Sequence, residues 1–329
     1  MTTLVTGATG FVGSAVARVL LARGHRLRLL ARPGGDRRNI AELDAELAEG
    51  DLTDPASLDR AAAGCRYVVH VAAEYRIWVR DPNEMLRANV DGAVAMVRAA
   101  ARAGAERIVH CSSVAALGQI GDGTPADEDT PARDSDFIGT YKQSKYRAEQ
   151  AVLALARAEN LPVVVVNPAA PVGPRDIKPT PTGKMIRDAA AGRMPAYIDT
   201  GLNIVHVDDV AEGHALALER GRLHERYVLG GENMLLRDVL ALVAQVAGRS
   251  PPRIRLPEGA IWPVAWAMEA FANLTGIPPL VTRDHLKMAR KKMFYSSDKA
   301  KRELGYSPRP AREAVEDAVA WFRAQGMIR

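Results

Sequence analysis

The chain has 329 residues, 47% of them hydrophobic, and its 44 Lys and Arg outnumber 39 Asp and Glu for a net charge of +5. That length suits a nucleotide-binding domain with a smaller lobe, while the mixed charge, without a basic stripe interleaved with aromatics, argues against a nucleic-acid partner. Cys65 and Cys111 lack metal-ligand spacing, the N-terminus opens straight into a strand and no uncharged apolar run reaches membrane-spanning length, so the expectation is a reduced cytoplasmic protein with no metal.

Thr3–Thr6 is a short β-branched run leading into Gly7-Ala8-Thr9-Gly10-Phe11-Val12-Gly13, and an apolar helical pattern (Val12, Val16, Val19, Leu20) follows at once. Between a strand and a helix, this GxxGxxG spacing points to a dinucleotide site along Gly7, Thr9, Gly10, Phe11, Val12 and Gly13. Gly7 allows the tight turn, Gly10 the approach of backbone to phosphate and Gly13 close helix packing; the helix N-terminus offers free N–H groups and a positive dipole end. Arg26–Ala31 is a second strand. Arg32, Arg37 and Arg38 then follow where such a fold usually places an acid against the ribose 2′-hydroxyl. Guanidinium groups there would pair with a 2′-phosphate, so NADP is expected over NAD.

Ala45–Gly50 is a third strand ending at Asp51-Leu52, where Asp51 would accept from the adenine amino group or cap the next turn. Tyr67–Ala72 is a fourth, and the small residues Val71, Ala72 and Ala73 at its end leave room for a cofactor. The next loop carries Tyr75, Ile77 and Trp78, an unusual aromatic load, with Tyr75 and Trp78 assigned to the substrate. Asp81-Pro82-Asn83-Glu84 reads as the N-cap, first-turn proline and N3 acid of one long helix to Ala103. Arg107–Cys111 is strand five, ending in Ser112-Ser113.

After a polar loop, Thr140 and Gln143 suggest a capping box for a helix that carries Tyr141 and Lys145 on one face. An ammonium beside a phenol favours the phenolate and lowers its pKa; lysine can also hold ribose hydroxyls, and serine a substrate oxygen. Pro162–Asn167 is a sixth strand closed by Asn167-Pro168, and the Pro- and Gly-rich stretch 170–183 is expected to be a substrate loop with Arg175 and Lys178. Val205–Arg220 reads as a strand and helix returning to the first lobe, Ser297 starts a helix ended by Gly305, and Pro310–Gln325 is a closing amphipathic helix. The fold class is therefore α/β, a Rossmann doubly wound parallel sheet (1–170 with 203–229) and an interleaved α/β substrate lobe (171–202 and 230–329). Within that lobe Trp262 and Trp266 lie four apart on a helix starting near Ile261; they are either core or an apolar surface at the substrate mouth that touches lipid.

Gly7–Gly13, Ser112-Ser113, Tyr141-Lys142-Gln143-Ser144-Lys145 and His206-Val207-Asp208-Asp209-Val210-Ala211 together resemble the extended short-chain dehydrogenases/reductases. His206–His214 is most similar to the dihydroflavonol-4-reductase branch. Asn167-Pro168, Gly173–Gly183 and Ala289–Met293 resemble the bacterial hopanoid-associated sugar epimerases. The resemblance implies a catalytic set of Ser113, Tyr141 and Lys145, with Asn89 as the supporting helix asparagine. It also implies a homodimer through the helices Asn83–Ala103 and Thr140–Glu159, with Ala93, Ala99, Ala148, Ala151 and Ala158 on their outer faces.

Three departures from the family pattern bear on the reaction. Nucleotide-sugar epimerases carry arginine where this chain has Leu202 and tyrosine where it has Leu117; dehydratases place an acidic pair where it has Val114-Ala115. The reading is an NADPH-dependent carbonyl reductase for an apolar or lipid-linked small molecule. It stands ahead of a sugar epimerase of hopanoid lipid biosynthesis and of a non-catalytic NADP-sensing protein.

Overall fold

A computed structural model describes residues 1–75, 81–275, 283–289 and 291–328, with the side chains of some residues in the helices at 82–86, 258–275 and 283–289 set aside. Trp78, assigned above to the substrate, lies outside the described residues. The apolar runs form β1 (Thr2–Thr6), β2 (Arg26–Ala31), β3 (Glu46–Glu49), β4 (Tyr67–His70), β5 (Arg107–Cys111) and β6 (Val163–Pro168). Seven shorter strands follow: β7 (Ala170–Val172), β8 (Ala196–Tyr197), β9 (Gly201–His206), β10 (Arg226–Leu229), β11 (Glu232–Leu235), β12 (Ile254–Arg255) and β13 (Lys292–Met293). The large sheet runs β10-β6-β5-β4-β1-β2-β3 and every pair in it is parallel. Strand order therefore reverses at β1 and β4, and a crevice opens beyond their C-terminal ends.

The helices are α1 (Phe11–Ala22), α2 (Pro55–Ala62), α3 (Pro82–Leu86), α4 (Gly92–Arg102), α5 (Gly139–Ala158), α6 (Pro181–Ala190), α7 (Val207–Arg220), α8 (Leu236–Ala247), α9 (Glu258–Thr275), α10 (Arg283–Ala289), α11 (Asp298–Leu304) and α12 (Ala311–Ala324). Because the central strands are buried on both faces, they read as continuous apolar runs. Val5, Val69 and Val109 pack toward α1 and α7, and Leu4, Val68 and Ile108 toward α2, α4 and α5. The second core, under α6, α8 and α12, includes Ile186, Ile204, Val239 and Phe322. It lies against a small sheet of β11, β9 and β13, with β7 beside β9.

Several expectations are corrected by this packing. Asn203–His206, expected to return to the first lobe, belongs to the small sheet; α7 and β10 do lie on the large one. The long helix to Ala103 is broken by a π-helical turn at Arg87–Asp91. No Thr140–Gln143 capping box forms: Ile138 is the N-cap of α5, and the Gln143 amide turns back to the Phe137 carbonyl at 3.4 Å. Of the five alanines expected on outer helix faces, Ala93, Ala99 and Ala148 are buried at 2%, 1% and 2% exposure, whereas Ala151 is half-buried and Ala158 exposed. Helix α9 begins at Glu258, which puts Pro263 inside it, and Trp266 is 64% exposed and so not core.

The glycine turn leaves no room for a side chain against its own backbone. Gly7 has φ of +72°, and a Cβ there would stand 2.7 Å from the Ala72 nitrogen; a Cβ on Gly13 would stand 2.1 Å from the Gly7 carbonyl oxygen. Overpacking of this kind costs about 1–3 kcal/mol. Gly13→Ala should lower the unfolding free energy in urea titration by that amount, moving the midpoint down and leaving the slope of the transition unchanged.

Candidate active site

The crevice is a cavity of about 730 Å³. Its first wall is the β1–α1 turn, Gly7 and Thr9–Gly13, all of which line it as the motif predicted. No Cβ fits at Gly7 or Gly13, and the N-terminus of α1 begins after Gly10, so a dinucleotide pyrophosphate fits this cradle.

Arg32, Asp51 and Leu52 line the adjoining wall, as do Val71, Ala72 and Ala73. Arg37 and Arg38 do not, because local acids take them. Arg37 reaches Glu49 at 2.5 Å, and Arg38 holds Asp36 through contacts of 2.7–3.2 Å. Asp36, unremarked in the sequence, lines the cavity in their place, and those bonds hold its carboxyl far below the usual range. Lys178, expected at the substrate, stands 3.7 Å from Asp36 and thus beside Arg32. Arg175 leaves the cavity altogether: it pairs with Asp208 at the start of α7. Asp51 accepts from the Thr53 amide and hydroxyl at 2.9 and 2.7 Å, the turn-capping alternative, while still lining the wall.

Ser113, Tyr141 and Lys145 converge on the opposite wall, with Tyr75. Ser113 follows β5 and caps the next turn, accepting from the Ala115 amide at 3.1 Å, and its hydroxyl also acts on the Tyr141 phenol, pulling its pKa down. The Tyr75 ring tilts against Tyr141 at 4.5 Å. Lys145 donates to the Cys111 carbonyl at 2.9 Å, and burial lowers its pKa. The expected depression of Tyr141 by Lys145 is reversed. Burial pushes the phenol well up, the Tyr75 phenol adds to this, and only the Ser113 hydroxyl pulls it down.

Asn89 and Asn167 stand behind this wall, not on it. From the π-helical turn, Asn89 accepts from the Glu74 amide at 2.7 Å and donates to the Glu74 carbonyl at 3.0 Å and the Ser144 hydroxyl at 2.9 Å. It ties the loop after β4 to α5. Asn167 donates to the Ser113 carbonyl at 3.0 Å and to Glu149 at 2.6 Å, leaving Pro168 to face the cavity. Sequence reasoning missed Lys142, Asp176, Asn203, Asp284 and Tyr295 on the lining; they come from five separate segments with no common spacing. Among the described residues no cluster of His, Cys, Asp or Glu could hold a metal, and no helix is long and apolar enough to cross a membrane.

Residues 3–230 match the NAD dependent epimerase/dehydratase family. The chain belongs to that family. A solved structure, that of gox2253, superposes with a TM-score of 0.90 at 63% identity, over 100% of this chain and 99% of its own. A Synechocystis protein, provisionally assigned as a dihydroflavonol 4-reductase, is 41% identical over 99% of this chain and 95% of its own. Sterol demethylase protein B of Methylococcus capsulatus is 34% identical over the full length of both. The family member described here is thus a reductase- or epimerase-type enzyme of the extended short-chain dehydrogenases/reductases, on the dihydroflavonol-4-reductase-like branch.

Asp176 supplies a test of the cavity's electrostatics. Its carboxylate, 1% exposed, accepts from the Thr180 amide and hydroxyl, yet burial pushes its pKa up to about 6. The folded protein therefore holds a proton between roughly pH 4 and 6 that the unfolded chain has released. This contribution to stability is full at low pH and lost as pH rises through the folded pKa. Asp176→Asn should raise the unfolding free energy at pH 7.5, by up to about 3 kcal/mol, and leave it unchanged at pH 4, as read by urea titration at the two pH values.

Proposed function

We propose that this enzyme is an NADPH-dependent carbonyl reductase acting on an apolar or lipid-linked ketone. The observation that carries the reading is that Ser113 and Tyr141 share the lining of a cavity to which Val114, Ala115, Ile138, Leu202 and Met293 also contribute. Where nucleotide-sugar enzymes use arginine or acids, this surface is aliphatic. The names of two relatives, a dihydroflavonol reductase and a sterol demethylase protein, agree with a largely apolar substrate.

When bound, the nicotinamide supplies the hydride. The Ser113 hydroxyl and the Tyr141 phenol would hold the carbonyl oxygen between them. Burial keeps the phenol neutral at neutral pH, so it can give its proton as the alcohol forms. Lys145, fixed by the Cys111 carbonyl, would hold ribose hydroxyls and orient the reacting face. Arg32 and Lys178 would receive a 2′-phosphate, and the Asp36 charge beside them is answered by Arg38 and Lys178.

Two variants check this reading. A charge-assisted contact is worth about 1.5–3 kcal/mol, so Arg32→Asp should weaken NADPH about ten- to a hundredfold in titration calorimetry and spare NADH. Equal losses, or tighter NADH binding by the parent, would assign Asp36 to a ribose 2′-hydroxyl instead. Tyr141→Phe should nearly abolish NADPH oxidation with a panel of apolar ketones while cofactor binding survives; a retained rate would mean that another group gives the proton.

A further inference from the structure

Lys142 follows Tyr141 on α5, lines the same cavity and is only 7% exposed. Among the described residues it makes no hydrogen bond and no ion pair. Its nearest charges do not serve it. Lys291 repels it and is itself bound by Asp136 at 2.6 Å, and Asp284, also on the lining, lies 3.6 Å from Lys287. Burial and Lys291 together push the Lys142 ammonium down to about 8, against the pull of Asp136. Lysine is almost never this buried unless it is paired, because removing an ammonium from water without an acceptor is costly. The cost is recovered if a ligand brings the acceptor.

We infer that Lys142 is the receptor for a carboxylate carried by the substrate near its reacting carbonyl, which makes the substrate class an apolar oxo acid. Lys142 and Tyr141 line the same cavity, so one molecule seated in it could present its carboxylate to the first and its carbonyl to the second. The local count of charges favours a monoanion over a phosphate dianion. With Lys291 matched by Asp136 and Lys287 close to Asp284, Lys142 is the cation left over among the described residues of this group. The rest of the ligand would meet Leu202, Ile138 and Met293. The inference rests on the reductase reading for the identity of the carbonyl, but the carboxylate site can be tested without turnover.

Titration calorimetry of the full chain with decanoate and with decanol is the test. The parent should bind decanoate about tenfold or more tighter than decanol. Lys142→Met should erase that preference and leave decanol unchanged, while Lys142→Arg restores most of it. Decanoate binding that is no tighter than decanol in the parent, or undiminished in Lys142→Met, overturns the proposal. The parent comparison decides even if a variant fails to fold. Rates with 3-oxodecanoate and its methyl ester then separate the two readings. A protein that prefers decanoate yet reduces neither ketone keeps the Lys142 site and loses the reductase. One that reduces both ketones equally well, with no calorimetric preference for decanoate, does the reverse.

Discussion

The face of α5 that bears Tyr141, Lys145 and Glu149 is pinned to the C-terminal ends of the central strands by buried hydrogen bonds, and the site depends on that seam. Lys145 meets the Cys111 carbonyl at the end of β5. Asn167 at the end of β6 joins Glu149 to the Ser113 carbonyl, and Asn89 joins Ser144 to both backbone groups of Glu74. Glu149, fully buried, is answered from the far side by Arg226 at 3.2 Å. In a low-dielectric layer each unmet partner would cost about 1–3 kcal/mol, so the seam holds as a set or not at all. The π-helical turn at Arg87–Asp91 is part of it, since Asn89 reaches both partners from there.

The same exclusion of water that makes the seam stringent also sets the chemistry of the cavity. It raises the phenol of Tyr141 and the carboxyl of Asp176, and it lowers the ammonium groups of Lys142 and Lys145. A helix that presents Tyr141, Lys142 and Lys145 in five residues thus gives one proton-bearing oxygen and two partly suppressed cations. What distinguishes the cations is their company. Lys145 has a carbonyl to hold, and Lys142 has none.

At the other end of the cavity, charge is settled by proximity. Arg37 and Arg38 lie next to acids that bind them before any ligand can, so only Arg32 of the three reaches the wall. Lys178 arrives there from a loop more than a hundred residues later. Two basic side chains from distant segments thus line this end of the cavity, with the Asp36 carboxylate 3.7 Å from Lys178.

Much was legible from local pattern alone. The six leading strands, the glycine turn, the closing helix and the shared face of Tyr141 and Lys145 all depend on near-neighbour rules: apolar runs, residues that need no Cβ, and the four-residue repeat of a helix face. Where two partners come from distant segments, the pattern was silent or misleading. Arg175 was captured by Asp208, and Asn167 by Glu149. Ala93, Ala99 and Ala148 turned inward, because a small side chain fits equally well on a protein partner and on its own sheet. Asp284 and Tyr295 joined the lining from elements with no motif. The sequence by itself determined the doubly wound scaffold, the glycine turn and the shared helix face of Tyr141 and Lys145, since each is specified within a few residues. Only the tertiary structure decided which charges face the cavity and which are spent on one another, because an ion pair forms with whatever acid the packing brings within reach.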